Sequence, residues 1–401
     1  MLYEARVRAE RRKKLRALAG RMSRQSQGLL PVTESMLDIF DIVVTPRELD
    51  VLLGMSGDAL PLETLRTRTG LDEAELTAIV EGAAAKGLVW TRRAPGGGKL
   101  YGLPPIMPGW FELYLGGGKE TPDRKAFAGL LTRLLVDYGR LNVAPVRQLM
   151  NFYFRRTEPL RSIAAIAPGT GGKGRKVVEV GESVKRGELS VFPHGTVNEL
   201  IERHGRDGNI AVMHCFCRQH HKLTGEPCLH GLPAESCLVL GAFTDHVVDQ
   251  GIGRRISKKE ALDLVALVQK KGVVHQVFYE KGETGGPELA ICNCCPDCCE
   301  ILRCYRRGVT SLQTIAHFTA QVCDPGRCTA CGKCEDACPV WAVSVGENGS
   351  VVDPDRCIGC GQCARLCRRG VIRLIPGRRT VFLPLMSPAE ARRRAVRRPR
   401  R

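Results

Sequence analysis

The chain lacks any apolar run approaching the ~20 residues needed to cross a bilayer. Its best stretch, Ala261 to Val268, is interrupted by Asp263. An export leader is missing as well. Arg11-Arg12-Lys13-Lys14 invites a twin-arginine reading, but Arg16, Arg21 and Arg24 break up the segment where a hydrophobic stretch would have to follow. There is no phosphate loop, because Gly171-Gly172-Lys173 is followed by Gly174 rather than Ser or Thr. No acid/base or nucleophile pair is recognisable, so nothing points to a particular reaction. These absences leave a soluble cytoplasmic protein as the expectation. With 401 residues and 43% hydrophobic content the chain is not disordered and is long enough for two or three domains.

What the sequence has in excess is cysteine. Nineteen cysteines without a secretory signal argue for reduced thiolates and metal rather than disulfides. Eight of them form two ladders of spacing C-x2-C-x2-C-x3-C: Cys328, Cys331, Cys334 and Cys338, then Cys357, Cys360, Cys363 and Cys367. Three thiolates spaced by two residues can wrap one cube of iron and sulfide, while the fourth reaches a neighbouring cube, so the double ladder predicts two [4Fe-4S] clusters. Zinc sites are the competing reading, but zinc ligands usually come as two separated short-spaced arms.

On these ladders, with Asp324-Pro325 and Asp353-Pro354 ahead of them and Gly332 and Gly361 inside them, the segment from Val322 to Pro376 resembles the bacterial two-cluster ferredoxins. The resemblance implies crossed ligation. One cluster takes Cys328, Cys331, Cys334 and Cys367, and the other takes Cys357, Cys360, Cys363 and Cys338. Pro339 closes the first ladder, whereas Arg368-Arg369 follow the second, and two cations there favour the reduced cluster and raise its potential. Ala330, Ile358, Val340, Val371 and Ile372 are expected to form an apolar shell.

A second constellation precedes the ladders. Cys215, Cys217, Cys228 and Cys237 are followed by Cys292, Cys294, Cys295, Cys298, Cys299 and Cys304, with Cys323 alone before the first ladder. Cys215-Phe216-Cys217 and Cys292-Asn293-Cys294 each follow a predicted strand (Ile210 to Met213, Leu289 to Ile291), and strand C-termini are where α/β sheets place ligands. If those strands are parallel neighbours, Cys215, Cys217, Cys228 and Cys237 converge with Cys292, Cys294, Cys295, Cys298 and Cys299 on one further metal site. Thiolates alone suit a third iron-sulfur cluster or zinc, and His214, His220, His221 and His230 keep mixed zinc ligation open. With its Cys-x-Cys-Arg and Cys-Asn-Cys-Cys motifs, the chain is similar to ferredoxin-containing proteins of anaerobic microbes.

The net charge of +18 resides at the two ends: nine Lys/Arg against two acids in residues 1–27, and twelve Arg against one acid in 368–401. Charge so placed reads first as solvated tails, with docking on an acidic partner as the alternative. Between about Thr45 and Pro104 the order of elements is that of a winged helix. Thr45-Pro46 with Glu48 makes a capping box, Asp72 with Glu75 repeats the pattern, and Pro95-Gly96-Gly97-Gly98 turns between two strands. Asp72, Glu73, Glu75 and Glu81 would repel phosphates, so specific nucleic acid binding is disfavoured.

The expected architecture is α+β and multidomain. It comprises a basic arm (1–30), a winged-helix-like domain (31–118), a helical segment with a loop around 168–174 (119–190), a cysteine-rich α/β domain (191–310), a dicluster ferredoxin domain (311–380) and a basic tail (381–401). The expected function is transfer of single electrons to or from an oxidoreductase partner. A redox-sensing regulator and an oxidoreductase subunit with its own substrate site are the rivals.

Overall fold

The computed structural model describes residues 2–26, 30–94, 96–156, 161–164, 197–281 and 287–396. The expected loop at 168–174, the glycine run within it and Pro95 of the wing lie outside these residues. Among the described residues no helix is long and apolar enough to cross a membrane.

The basic arm is not a solvated tail along its length. Leu2–Gln25 is one helix; residues 3–10 are exposed, but Leu15, Leu18, Ala19 and Met22 are fully buried. Burying the leucine and methionine side chains contributes about 1.5–3 kcal/mol each, which docks this face of the helix on the chain. Its cations meet acids of the next two helices, Glu34–Val43 and Pro46–Leu53: Arg11 with Asp41 at 2.6 Å, Arg12 with Asp38 at 2.6 Å and Lys14 with Asp50 at 2.7 Å. These three cations of the arm therefore find acidic partners within the chain.

The capping box at Thr45 forms on both sides, Glu48 N–H to the hydroxyl and Thr45 N–H to the Glu48 carboxylate. At Asp72 only half of it forms. Asp72 accepts from Glu75 N–H at 3.0 Å, but the Glu75 carboxylate pairs with Arg47 instead. Strands β1 (Leu60–Pro61), β2 (Trp90–Arg93) and β3 (Lys99–Gly102) make an antiparallel sheet in the order β1-β3-β2 beside the Leu62–Thr69 and Glu73–Ala85 helices. This unit is docked on the middle of the chain. His246 Nδ1 accepts from Thr91 N–H at 3.1 Å, Arg93 pairs with Asp245 at 3.1 Å, and Gln250 donates to Glu81 at 3.1 Å.

Beyond it lie β4 (Arg161–Ala164), β5 (Ile210–His214), β6 (Glu235–Leu240), β7 (Gly253–Arg255), β8 (Val274–Lys281), β9 (Pro287–Cys294), β10 (Leu312–Val322), the hairpin β11 (Val343–Gly346) and β12 (Gly349–Val352), and β13 (Ile372–Leu383). Eight of them form one sheet in the order β13-β10-β4-β8-β9-β6-β5-β7. Only the β10–β4 pair is parallel.

Three expectations are corrected here. The central sheet is antiparallel, so β5 and β9 run the same way but are separated by β6. The ferredoxin segment is not separate at residue 311, because its β10 and β13 extend the central sheet. Residues 381–396 are not a tail either: β13 runs to Leu383, and Leu383, Leu385 and Met386 are buried. Asn142 donates to Met386 O at 2.7 Å, Asn151 accepts Leu385 N–H at 2.6 Å, and the closing helix Pro388–Val396 buries Ala391.

Candidate metal centres

The two ladders fold alike. Gly332 and Gly361, with φ of 75° and 77°, each start a five-residue helix, Lys333–Ala337 or Gln362–Leu366. Only glycine takes such a left-handed turn freely, which is why both copies carry it. The third cysteine lies in the first turn and the fourth follows the last. Main-chain N–H groups then donate to sulfur at matching places: Ala342 to Cys338 at 3.1 Å and Val371 to Cys367 at 3.3 Å, with Ala320 to Cys357 at 3.3 Å. Donors aimed at sulfur favour the thiolate over the thiol.

The two sets differ in burial. Cys331 is exposed and Cys328, Cys334 and Cys367 are half-buried, whereas Cys338, Cys357, Cys360 and Cys363 are buried. Burial pushes the Cys363 thiol up to about 12, with the Cys338 and Cys357 sulfurs adding to it. Burial likewise raises Cys360, again with Cys363, Cys338 and Cys357 as neighbours, while Cys328 and Cys331 add to the rise of Cys334, which also acts weakly on Cys363. The fourth cysteine of the first ladder thus keeps company with the second. Residues 327–372 are similar to the 4Fe-4S dicluster domain family. No curated protein and no solved structure matches the chain.

This iron-sulfur module is tied to the central region by arginines and one glutamine. Arg379 on β13 donates to Cys357 O, and Arg356 donates to Val340 O at 3.0 Å and to the Tyr305 hydroxyl. Gln362 donates to Val273 O at 2.5 Å. Val340, Ile358, Val371 and Ile372 are buried as expected, but Ala330 is exposed. Arg368 and Arg369 are exposed too, so water screens them from the clusters.

In the central region six thiols close a ring. Cys215 neighbours Cys217 and Cys237, Cys217 neighbours Cys299, Cys299 neighbours Cys294, Cys294 neighbours Cys292, and Cys292 neighbours Cys237. Topology explains the meeting. Cys215 and Cys299 are the N-caps of two short helices, Phe216–Leu223 and Glu300–Arg306, while Cys292 and Cys294 share one face of β9. The strand that separates β5 from β9 supplies Cys237, opposite Met213 of β5. Hydrogen bonds from Cys217 and Cys237 hold Cys215 well below the ordinary thiol range, and those from Cys217 and Cys294 do the same for Cys299. Glu300 N–H donates to Cys217 at 3.3 Å, and the Gln276 amide donates to Cys294 at 3.0 Å.

The other three thiols stand apart, which corrects the single-site expectation. Cys228 and Cys295 are 3.7 Å apart, Cys295 hydrogen-bonds Cys298, and His230 Nδ1 is 3.5 Å from Cys295. Donor atoms of Cys228, Cys295, Asp297 and Cys298 all lie within 4.8 Å of one another. Between the two sets sits Arg218, only 5% exposed. Burial disfavours its charge, but Cys215, Cys237, Cys298 and Cys228 raise its pKa above the ordinary value. Its guanidinium also donates to Asn293 O at 2.8 Å and to Pro233 O and the Ser236 hydroxyl. Arg218 follows Cys217 directly and could have been singled out from that position. Gln276 carries no mark in the sequence.

Of the four histidines weighed as zinc ligands, only His230 reaches these thiols. His220 and His221 hydrogen-bond the buried Glu300 at 2.7 and 2.9 Å. Burial alone would raise that carboxyl, yet the two imidazoles hold it down at about 2. His214 packs on Gly118, whose φ is +68°; a Cβ there would lie 2.4 Å from the imidazole. Cys304 is buried outside both sets and Cys323 is exposed.

Proposed function

We propose that the chain is an electron-transfer protein with two [4Fe-4S] clusters in the C-terminal module and a further iron-sulfur centre within the six-thiol ring. The observation that carries this reading is a shared core. Cys294 and Cys299 of the ring pack in one apolar cluster with Cys338, Cys357, Cys360 and Cys363, through Val274, Leu302 and Tyr305. Cys328, Cys331, Cys334 and Cys367 would hold the outer cluster, and Cys357, Cys360, Cys363 and Cys338 the inner one. The donor set fits, being thiols throughout with main-chain N–H groups aimed at sulfur. Such clusters supply one-electron chemistry without bond making in the protein. The chain's part is to expose one end at Cys331, to keep water from the inner set and to place the ring behind it, so that a redox partner docks at the Cys331 face. The N-terminal unit, in the order of a winged helix, is read as a protein-contact scaffold, because its β2 strand and acidic helix face the central region.

The test is anaerobic purification with iron and sulfide counted per chain and the electrons accepted measured by dithionite titration. More than about eight irons, removable above that number by C237A and C292A, is the expected result. A chain that takes up no iron, or no electrons, would sink the reading.

One observation favours a second reading, an oxidoreductase subunit with its own substrate site. An apolar cavity of about 240 Å³ is lined in part by Leu134, Phe216, Glu300 and Ile301, of which Phe216 and Glu300 are sequence neighbours of ring thiols. Under that reading, L134W abolishes turnover of a small acceptor while the clusters still reduce. Under the first it leaves electron delivery unchanged.

A further inference from the structure

We infer that Cys228, His230, Cys295 and Cys298 form a mononuclear zinc site, separate from the iron-sulfur centres and independent of the electron-transfer reading. The argument is metric. With Zn–S of about 2.3 Å and Zn–N of about 2.0–2.1 Å, a tetrahedron has S–S edges of ~3.8 Å and S–N edges of ~3.5 Å. Cys228 and Cys295 are 3.7 Å apart, and His230 Nδ1 is 3.5 Å from Cys295. The third thiol, Cys298, lies within 4.8 Å of both Cys295 and Cys228. A cube places iron and sulfide between its ligands and does not require sulfurs to approach so closely. Around one tetrahedral ion they must.

The local chain is built for such a site. The ligands come as two short arms, Cys228-Leu229-His230 and Cys295-Pro296-Asp297-Cys298, the separated spacing that zinc prefers and the ladders lack. In the second arm Asp297 N–H turns back to donate to Cys295 at 3.4 Å. The Asp297 carboxylate accepts Leu229 N–H at 3.0 Å and so ties the two arms together. That bond takes one Asp297 oxygen for a structural task, and the fourth position is assigned to His230, whose Nδ1 is 3.5 Å from Cys295. Behind the site Cys295 and Cys298 pack with Leu232, Val268 and Val273, a small core that one ion would close. Zinc changes no oxidation state, so its effect there is to fix the start of the Cys299 helix beside the six-thiol ring.

The test uses the full chain, purified anaerobically without zinc and then titrated with Zn²⁺ against a competing chromophoric chelator. One tight zinc per chain is expected, with an X-ray absorption shell of three sulfurs and one nitrogen. C228S and C295S should lose it with no loss of iron. H230A should weaken zinc binding at least tenfold and remove the nitrogen scatterer, while D297N keeps the sulfur-nitrogen shell. Since C295S could misfold, the shell of the unaltered chain is decisive by itself. A site filled by iron, a four-sulfur shell, or zinc binding unmoved by both C228S and H230A would overturn the proposal.

Discussion

The side-chain amide of Gln362 donates to the main-chain carbonyl of Val273 at 2.5 Å. Gln362 stands between Gly361 and Cys363 of the second ladder, and Val273 precedes the β8 residue paired with Cys294. One hydrogen bond thus joins the helical turn inside the second ladder to the residue that leads into β8, the strand paired with Cys294 of the ring. Both groups are buried, so removing the donor strands a carbonyl in the core. Gln362→Ala should lower stability by about 1–3 kcal/mol. Anoxic guanidinium unfolding of the iron-loaded protein checks this, and an unchanged midpoint would contradict it.

Crossing of the ladders gives a prediction about which cluster each substitution removes. Cys338 lies among the Cys357 set, so Cys338→Ala should bleach the buried cluster and leave the one nearer Cys331 reducible. Electron paramagnetic resonance of the reduced variant would show one signal in place of a coupled pair. If the signal lost proves to be that removed by Cys331→Ala, each ladder closes on its own cube.

For nucleic acid the structure sharpens the expectation from charge. The arm spends Arg11, Arg12 and Lys14 on Asp41, Asp38 and Asp50, and Glu81 of the Glu73–Ala85 helix is bound to Lys99 at 2.9 Å and to Gln250. Remaining exposed cations such as Arg392 and Arg393 can attract phosphate without selecting sequence. Duplex binding by the full chain should be weak and indifferent to sequence, and it should fall steeply between about 50 and 200 mM salt. R392E/R393E should weaken it further. A salt-resistant preference for one sequence in a gel-shift assay would refute this.

The ladders were legible because their ligands are local. Cysteine spacing and the two glycines specify each turn without help from the rest of the chain. The capping box at Thr45 and the start of β5 at Ile210 were legible for the same reason. The sheet order was not, since nothing in β5 or β9 says that β6 lies between them. The division of the central thiols followed from that order and from strand period. Cys292 and Cys294 face one way on β9, and Cys295 lies just past its end. The arm's burial was hidden because Leu15, Leu18 and Met22 are scattered among nine cations, which leaves little contrast between its faces.

The contact of the N-terminal unit with the central region should loosen in acid. His246 accepts from Thr91 N–H, and burial lowers its pKa from an ordinary 6.5 to about 4. The folded state therefore resists a proton that the unfolded state takes up. Stability is full above about pH 6.5 and falls as pH drops toward 4, by up to ~3 kcal/mol from this group. Denaturation midpoints at about pH 7 and about pH 5 measure it. His246→Asn keeps an acceptor near the Nδ1 position and cannot titrate, so its midpoint should lose that part of the pH dependence. Equal dependence in both proteins would assign the effect elsewhere.

Arg218 is the cation shared by the two central thiol sets, buried between Cys215 and Cys237 on one side and Cys228 and Cys298 on the other. Thiolates out of water need a counter-charge, and breaking such a buried pairing costs about 3–5 kcal/mol. Arg218→Gln keeps an amide that can still reach Asn293 O but removes the charge. Both central sites should then surrender their metal to chelator at least tenfold faster, while the C-terminal module, held by its own main-chain donors, keeps its iron. Arg218→Lys restores the charge without the planar fork that serves Asn293, Pro233 and Ser236 together, so it should fall between the two. Metal release followed by absorbance for the three proteins ranks them. If Arg218→Gln retains metal as well as the unaltered chain does, then Arg218 acts through its hydrogen bonds alone and the thiolates draw their stability from the metal itself.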